Sequence, residues 1–281
     1  MKIQKRIKVA YSVGKIKILS KISSRLAADE LFELFCTPFL ETQNVKSEIF
    51  KKYQPLSLTF QNKIVYGYSC GAGKKTALIL HGFSSCSHKF DNYVDDLISE
   101  GYKVLAFDAP AHGKSEGKTI NALEYRDMIL NIIKEFGSPD AYICHSFGGL
   151  AVMLAHELIE HNEKTKIVLI APATETTSAI NQAFRLASLK SINLKNALYK
   201  KIEIVSGYSP EWFSIRRAIK NVKASILWLH DEFDKITPAH DAKKVQEDNP
   251  PNVEFVFTQG LGHGRIYKNK LVQKRIIDFL K

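Results

Sequence analysis

Three polar residues stand in settings that suit nucleophilic catalysis. Ser146 lies in YICHSFGG (residues 142–149), where one apolar run ends and a second, LAVMLAHELI, begins. A serine on a tight strand-to-helix turn is held in a strained backbone conformation that projects its hydroxyl, and bulky neighbours two positions away would clash. Gly148 meets that need, and Gly149 lets the following helix pack closely. The N-terminus of that helix favours negative charge beside the hydroxyl. His263 sits in FTQGLGHGRI, where glycines at 260, 262 and 264 leave an imidazole room to swing. A carboxylate that could orient the ring is present in ILWLHDEFDKITP, as Asp231 or Asp234. Together these groups suit acyl transfer: the imidazole takes the hydroxyl proton as the oxygen attacks a carbonyl, and the carboxylate stabilises the imidazolium.

The elements that must carry these residues are visible as texture. From Gly73 onward, short apolar and β-branched runs recur (TALILHGF, KVLAFDAP, AYICHS, KIVLIAPA, SILWLHDE, VEFVFTQG), most of them separated by helix-length amphipathic stretches. Runs this apolar suit strands covered on both faces, and strand–helix alternation implies parallel pairing through crossovers. The expectation is an α/β fold, a mostly parallel central sheet with helices on both faces. Before it, SEIFKKY, LSLTFQ and KIVYGYS alternate apolar and polar residues and suggest antiparallel strands at a sheet edge. SSRLAADELFELFCT (23–37) places Leu26, Leu31, Leu34 and Phe35 at helical spacing and is stopped by Pro38.

The strand-turn-helix setting of Ser146 resembles the G-x-S-x-G elbow of the α/β-hydrolase superfamily, with Cys144 in place of the first glycine. The resemblance covers about residues 60–280 and includes the family order of serine, acid, histidine. It implies that Asp234, a few residues past a strand and shortly before Pro238, is the acid rather than Asp231. It implies that LILHGFSS carries the oxyanion loop, with the N–H groups of Phe83 and Phe147 as donors, and that His81 fixes that loop. Asp108 and His112, in FDAPAHGKSEG, precede the serine and are read as structural. Cys144 lies before the turn and would point into the sheet, so it is not read as the nucleophile. The implied activity is that of a serine hydrolase, a carboxylesterase or small lipase or lysophospholipase, acting on a small-molecule acyl substrate with no metal or organic cofactor. Thioesterase, acyltransferase, perhydrolase and carbon–carbon hydrolase activities stay open on the same triad, as does a non-catalytic ligand-binding role.

About fifty residues between APA and SILWLH show no core strand. Insertions of that length are usually functional or folded, and Ile180, Phe184 and Ala187, then Ile215 and Ile219, fit helix faces. The expected organisation is a basic arm with an amphipathic helix (1–45), a hydrolase core (46–172 and 224–281) and a helical cap (173–223). The cap carries nine basic residues against three acids. That surplus suggests a solvated outer face, a preference for acyl chains with an anionic far end, or docking on anionic bilayers.

A net charge of +11 could serve a polyanion, yet it is spread along the chain without a nucleic-acid-binding signature, so no nucleic-acid partner is expected. Residues 1–28 hold eight Lys or Arg and no acid. That arm is read as a solvated basic tail or as a segment lying on an anionic membrane surface. Four scattered cysteines without a CxxC pair, and no signal-like apolar run, point to the cytoplasm.

Overall fold

The computed structural model describes residues 3–39 and 47–281, with the backbone only for residues 3–8. Two helices come first, α1 (Ile3–Ile22) and α2 (Ser24–Cys36). A hairpin follows, β1 (Gln54–Phe60) and β2 (Lys63–Cys70). Strand and helix then alternate through β3 (Lys75–Leu80), α3 (Val94–Ser99), β4 (Tyr102–Phe107), α4 (Ala122–Phe136), β5 (Ala141–His145), α5 (Phe147–His156) and β6 (Lys166–Ile170). Three helices, α6 (Thr176–Leu186), α7 (Ile192–Ser206) and α8 (Ile215–Ala218), separate β6 from β7 (Ser225–Asp231). The chain finishes with α9 (Ala239–Glu247), β8 (Val253–Thr258), α10 (Gly262–Arg265) and α11 (Lys270–Leu280).

The eight strands form one sheet in the order β1-β2-β4-β3-β5-β6-β7-β8. The pairs β1–β2 and β2–β4 are antiparallel and the rest are parallel, so the fold is α/β with an antiparallel edge. Side chains of a strand alternate between faces, and here both faces are covered. Along β3, Leu78 and Leu80 join one buried cluster with Tyr125 and Trp228, while Ala77 and Ile79 join the other with Phe90 and Leu227. That double burial is why the central strands read as continuous apolar runs. The strand order reverses around β3, which lies between β4 and β5, and such a switch point opens a crevice at the carboxyl ends of the flanking strands.

Two N-terminal expectations differ from the structure. SEIFKKY is not a strand: Ser47 Oγ accepts the Phe50 N–H at 3.2 Å and Phe50–Lys52 form a 3₁₀ turn. Its alternation reflects one anchor, Phe50, packed 4.8 Å from the Tyr68 ring. The basic arm is not a free tail over its described length either. α1 packs on α2 and α2 on α7, with ion pairs from Lys15 to Glu30 (2.6 Å) and from Lys201 to Asp29 (2.7 Å). Residues 1–2 and 40–45 of the expected arm lie outside the described residues. Among the described residues, no helix is long and apolar enough to cross a membrane.

Candidate active site

Ser146 ends β5 and begins α5 with φ 53° and ψ −116°, a strained conformation for a residue with a side chain. The close approach that makes this turn fit is built from glycines. A Cβ on Gly148 would lie 2.7 Å from the Leu80 carbonyl oxygen, and one on Gly82 would lie 2.9 Å from the Ser146 Cβ. Cys144 does not disturb the turn: fully buried, it pairs in register with Leu80 and faces the same cluster as Tyr142. Burial pushes its thiol well above 9.0.

The structure brings Ser146, His263 and Asp234 together from three separate connections. His263 Nε2 is 3.1 Å from Ser146 Oγ, and His263 Nδ1 is 2.8 Å from Asp234 Oδ2. The Asp234 side chain is fully buried. Its Oδ1 accepts the N–H groups of Ile236 (2.7 Å) and Thr237 (3.0 Å) at the turn leading to Pro238. Asp231 sits elsewhere. Its Oδ2 accepts the Leu261 N–H at 2.8 Å and the Thr258 hydroxyl at 2.9 Å, so it ties down the loop that carries His263.

Beside Ser146, Phe83 follows β3 and Phe147 opens α5, their rings edge to face at 5.7 Å. The Phe147 N–H belongs to the first turn of a helix, where donors lack intrahelical partners. Neither the Phe83 nor the Phe147 N–H meets an acceptor among the described residues. The loop around Phe83 is held by two histidines. His81 Nε2 accepts the Ala109 N–H (2.9 Å) and His112 Nε2 accepts the Ser84 N–H (2.8 Å). Asp108 accepts the N–H groups of Ser87 and Lys114 at 2.8 and 3.0 Å. These three residues fix the loop and do not reach Ser146.

A cavity of about 1080 Å³ opens beside Ser146 and Phe147. Its lining comes from α1, α2, the start of α4, and α6 and α7. None of the nine basic residues of segment 173–223 lines it. Arg217 instead holds both oxygens of Glu157, Arg216 holds Asp248, and Lys201 holds Asp29. The surplus charge therefore lies outside the cavity lining.

Residues 71–214 match the family model described as serine aminopeptidase, S33 (Hydrolase_4). The chain belongs to this α/β-hydrolase family. A 2-hydroxy-6-oxononadienedioate/2-hydroxy-6-oxononatrienedioate hydrolase of Klebsiella pneumoniae is 29% identical over 139 residues, 47% of this chain and 46% of that one. Its Escherichia coli K12 counterpart is 32% identical over 68 residues, 23% of each chain. The chain thus matches less than half the length of these curated relatives. Among solved structures, an esterase of Pyrococcus furiosus superposes with a TM-score of 0.65 at 21% identity, covering 86% of this chain and 96% of that one. The thioesterase domain from the curacin biosynthetic pathway gives 0.57 at 15% identity, covering 81% and 98%. At such identities these likenesses show the fold alone.

In this S33 hydrolase the electrostatics keep the acid charged and the buried rings neutral. Burial pushes the Asp234 carboxyl up, but hydrogen bonds from His263, Ile236 and Thr237 outweigh it and hold the group below 3.8. Burial alone dominates at His81 and His112, lowering them to about 4 and about 3. The sequence reading missed two residues of this S33 site. His145, next to the serine, has its Nε2 3.0 Å from the His263 carbonyl oxygen, and burial, then the neighbouring His263, lower it to about 3. It therefore donates as a neutral ring and anchors the His263 backbone. The Thr237 hydroxyl lies 2.9 Å from Asp234 Oδ2 and 3.1 Å from His263 Nδ1. His145 could have been found as a polar residue at an apolar strand end; nothing in the sequence marks Thr237.

Proposed function

We propose that this hydrolase cleaves carboxylic esters by two-step acyl transfer, with Ser146 as nucleophile, His263 as general base and Asp234 orienting the ring. The observation that carries the reading is the chain of contacts from Ser146 Oγ through His263 to Asp234, at 3.1 and 2.8 Å, opening on an apolar cavity. His263 Nε2 takes the hydroxyl proton as Oγ bonds to the carbonyl carbon. The oxyanion is met by the N–H groups of Phe83 and Phe147. When the carbonyl re-forms, the bond to the alcohol breaks and the imidazolium protonates the leaving oxygen, leaving Ser146 acylated. Water, deprotonated by the same imidazole, then releases the acid. Asp234 keeps the Nδ1 proton in place and stabilises the imidazolium.

A dioate of the kind named for the K. pneumoniae relative is disfavoured as substrate here, because among the described residues Lys17 is the one cation lining the cavity, against Glu124 and Asp127. All four cysteines are buried free thiols, which suits a reducing, cytoplasmic setting. The test is hydrolysis of p-nitrophenyl butyrate together with labelling by a fluorophosphonate. Ser146→Ala should lower kcat by at least about ten-thousandfold and abolish labelling. Equal turnover in the variant would remove Ser146 from the mechanism.

A further inference from the structure

The cavity beside Ser146, at about 1080 Å³, lies at the upper end of the usual span of small-molecule sites, about 300–1000 Å³. One of its walls lies outside the matched family segment, residues 71–214. On α1, Val9, Ala10, Val13, Gly14 and Lys17 all line it, the spacing of one helix face. α2 adds Leu31, Phe32, Leu34 and Phe35, and the chain just beyond adds Phe39. Phe39 is tied to the loop beside Ser146, its N–H donating to Ser84 Oγ at 2.8 Å and its ring meeting Phe83 edge to face.

Among the described residues, the charges lining the cavity are Lys17 on α1 and Glu124 and Asp127 on α4, and the two acids are engaged. Glu124 accepts the Asn121 N–H at 2.9 Å and pairs with Lys63 at 3.6 Å, and Asp127 pairs with Arg126 at 2.7 Å. What remains is a long apolar surface running from the reacting hydroxyl towards a helix pair at the N-terminus. An apolar surface of this extent selects a ligand that gains by leaving water along its whole length.

We propose that α1 and α2 form the wall of an acyl-chain site, and that the substrate is an ester of a long, uncharged aliphatic acid whose chain lies between this wall and α6. The inference rests on Ser146 as the acylated residue, and it assigns the N-terminal helices to substrate selection. Gly14 is its sharpest point: among the described residues nothing lies within 4 Å of a Cβ built there, and it lines the cavity. A phenylalanine at 14 would occupy chain space without displacing protein atoms near its Cβ.

The experiment compares p-nitrophenyl acetate, butyrate, laurate and palmitate on wild type, Gly14→Phe, Ala183→Phe, which intrudes from α6, and Ile18→Phe. Ile18 is 65% exposed on α1 and away from the cavity. In the wild type, kcat/KM should climb by up to about fourfold per methylene until the cavity is filled. Gly14→Phe and Ala183→Phe should each lower the laurate-to-acetate ratio by about tenfold or more, while Ile18→Phe leaves it unchanged. A wild-type profile flat beyond butyrate, or unchanged ratios in both cavity variants, overturns the proposal. So does equal turnover of laurate and of the half-ester of dodecanedioic acid.

Binding separates this idea from the catalytic reading. The methyl ester of a pyrene-labelled dodecanoic acid should bind Ser146→Ala protein and bind more weakly once Gly14→Phe is added, with circular dichroism confirming the fold. Probe binding with no ester turnover at any chain length would defeat the esterase reading and keep the apolar site. Turnover of short esters without probe binding would do the reverse.

Discussion

Asp234→Asn tests the proposed mechanism at its most constrained atom. Oδ1 of Asp234 accepts two backbone N–H groups, from Ile236 at 2.7 Å and Thr237 at 3.0 Å. An amide NH2 in that position would confront both donors, at a cost of about 1–3 kcal/mol for each bond lost. The amide oxygen must therefore take the Oδ1 position, which aims the NH2 at His263 Nδ1, 2.8 Å away. Donating to Nδ1 leaves the ring proton on Nε2, and a ring protonated there cannot accept the Ser146 proton across 3.1 Å. The expected loss is about ten-thousandfold in kcat, about 5.5 kcal/mol at 1.36 kcal/mol per decade. KM should change little.

The assay is p-nitrophenyl butyrate turnover beside thermal unfolding, with Asp231→Asn as the contrast. Asp231 Oδ1 takes the Phe233 N–H at 3.0 Å and Oδ2 takes the Leu261 N–H at 2.8 Å, so either amide orientation sets an NH2 against an N–H. That variant should lose about 1–3 kcal/mol of stability yet keep the productive tautomer of His263. A folded Asp234→Asn protein with more than about a tenth of wild-type kcat would refute the reasoning, since a wrong tautomer leaves no such remainder. So would a folded Asp231→Asn protein that is the more crippled of the two.

Two further outcomes follow from the packing of the site. Gly82→Ala sets a Cβ 2.8 Å from His145 Nδ1 and 2.9 Å from the Ser146 Cβ, so the loop bearing Phe83 must shift; kcat should fall by about a hundredfold or more, and an unchanged kcat would take Phe83 out of the oxyanion site. Four histidines are lowered by burial from 6.5, His81 and His156 to about 4 and His112 and His145 to about 3. The unfolded chain binds these protons first, so stability is full above pH 6.5 and is lost as pH falls towards 4, by up to about 1.4 kcal/mol per pH unit for each ring. Urea midpoints that stay level between about pH 7 and about pH 5 would contradict the buried neutral rings.

The sheet was legible because its central strands are buried on both faces, which leaves an apolar signal in the sequence. β3 to β7 follow the runs beginning TALIL, KVLAF, AYICH, KIVLI and SILWL. The residues now gathered at the site were legible for a different reason. Ser146, Asp234 and His263 each follow a strand end, and parallel strands bring those ends to one edge. Choosing between Asp231 and Asp234 needed the family pattern, since one ends β7, the other lies three residues beyond it, and both are buried. Composition was a poorer guide. Nine cations in segment 173–223 suggested a taste for anionic chain ends, but charge count carries no direction: none of them lines the cavity, and three pair with Glu157, Asp248 and Asp29.

The N-terminal helix was illegible because its faces answer to different neighbours. A helix packed on one surface shows a single apolar stripe. α1 buries Ile16 completely, turns Val9, Ala10, Val13 and Gly14 to the cavity, and leaves Tyr11, Ile18 and Ile22 more than half exposed. Apolar residues pointing three ways among lysines cancel as periodicity, and the segment reads as a basic arm. The same division of faces is what an acyl-chain wall requires: one residue anchors the helix, while small ones keep space open for a ligand. A helix that served only to pack would fill that space, and at Gly14, which lines the cavity, no described atom lies within 4 Å of an added Cβ.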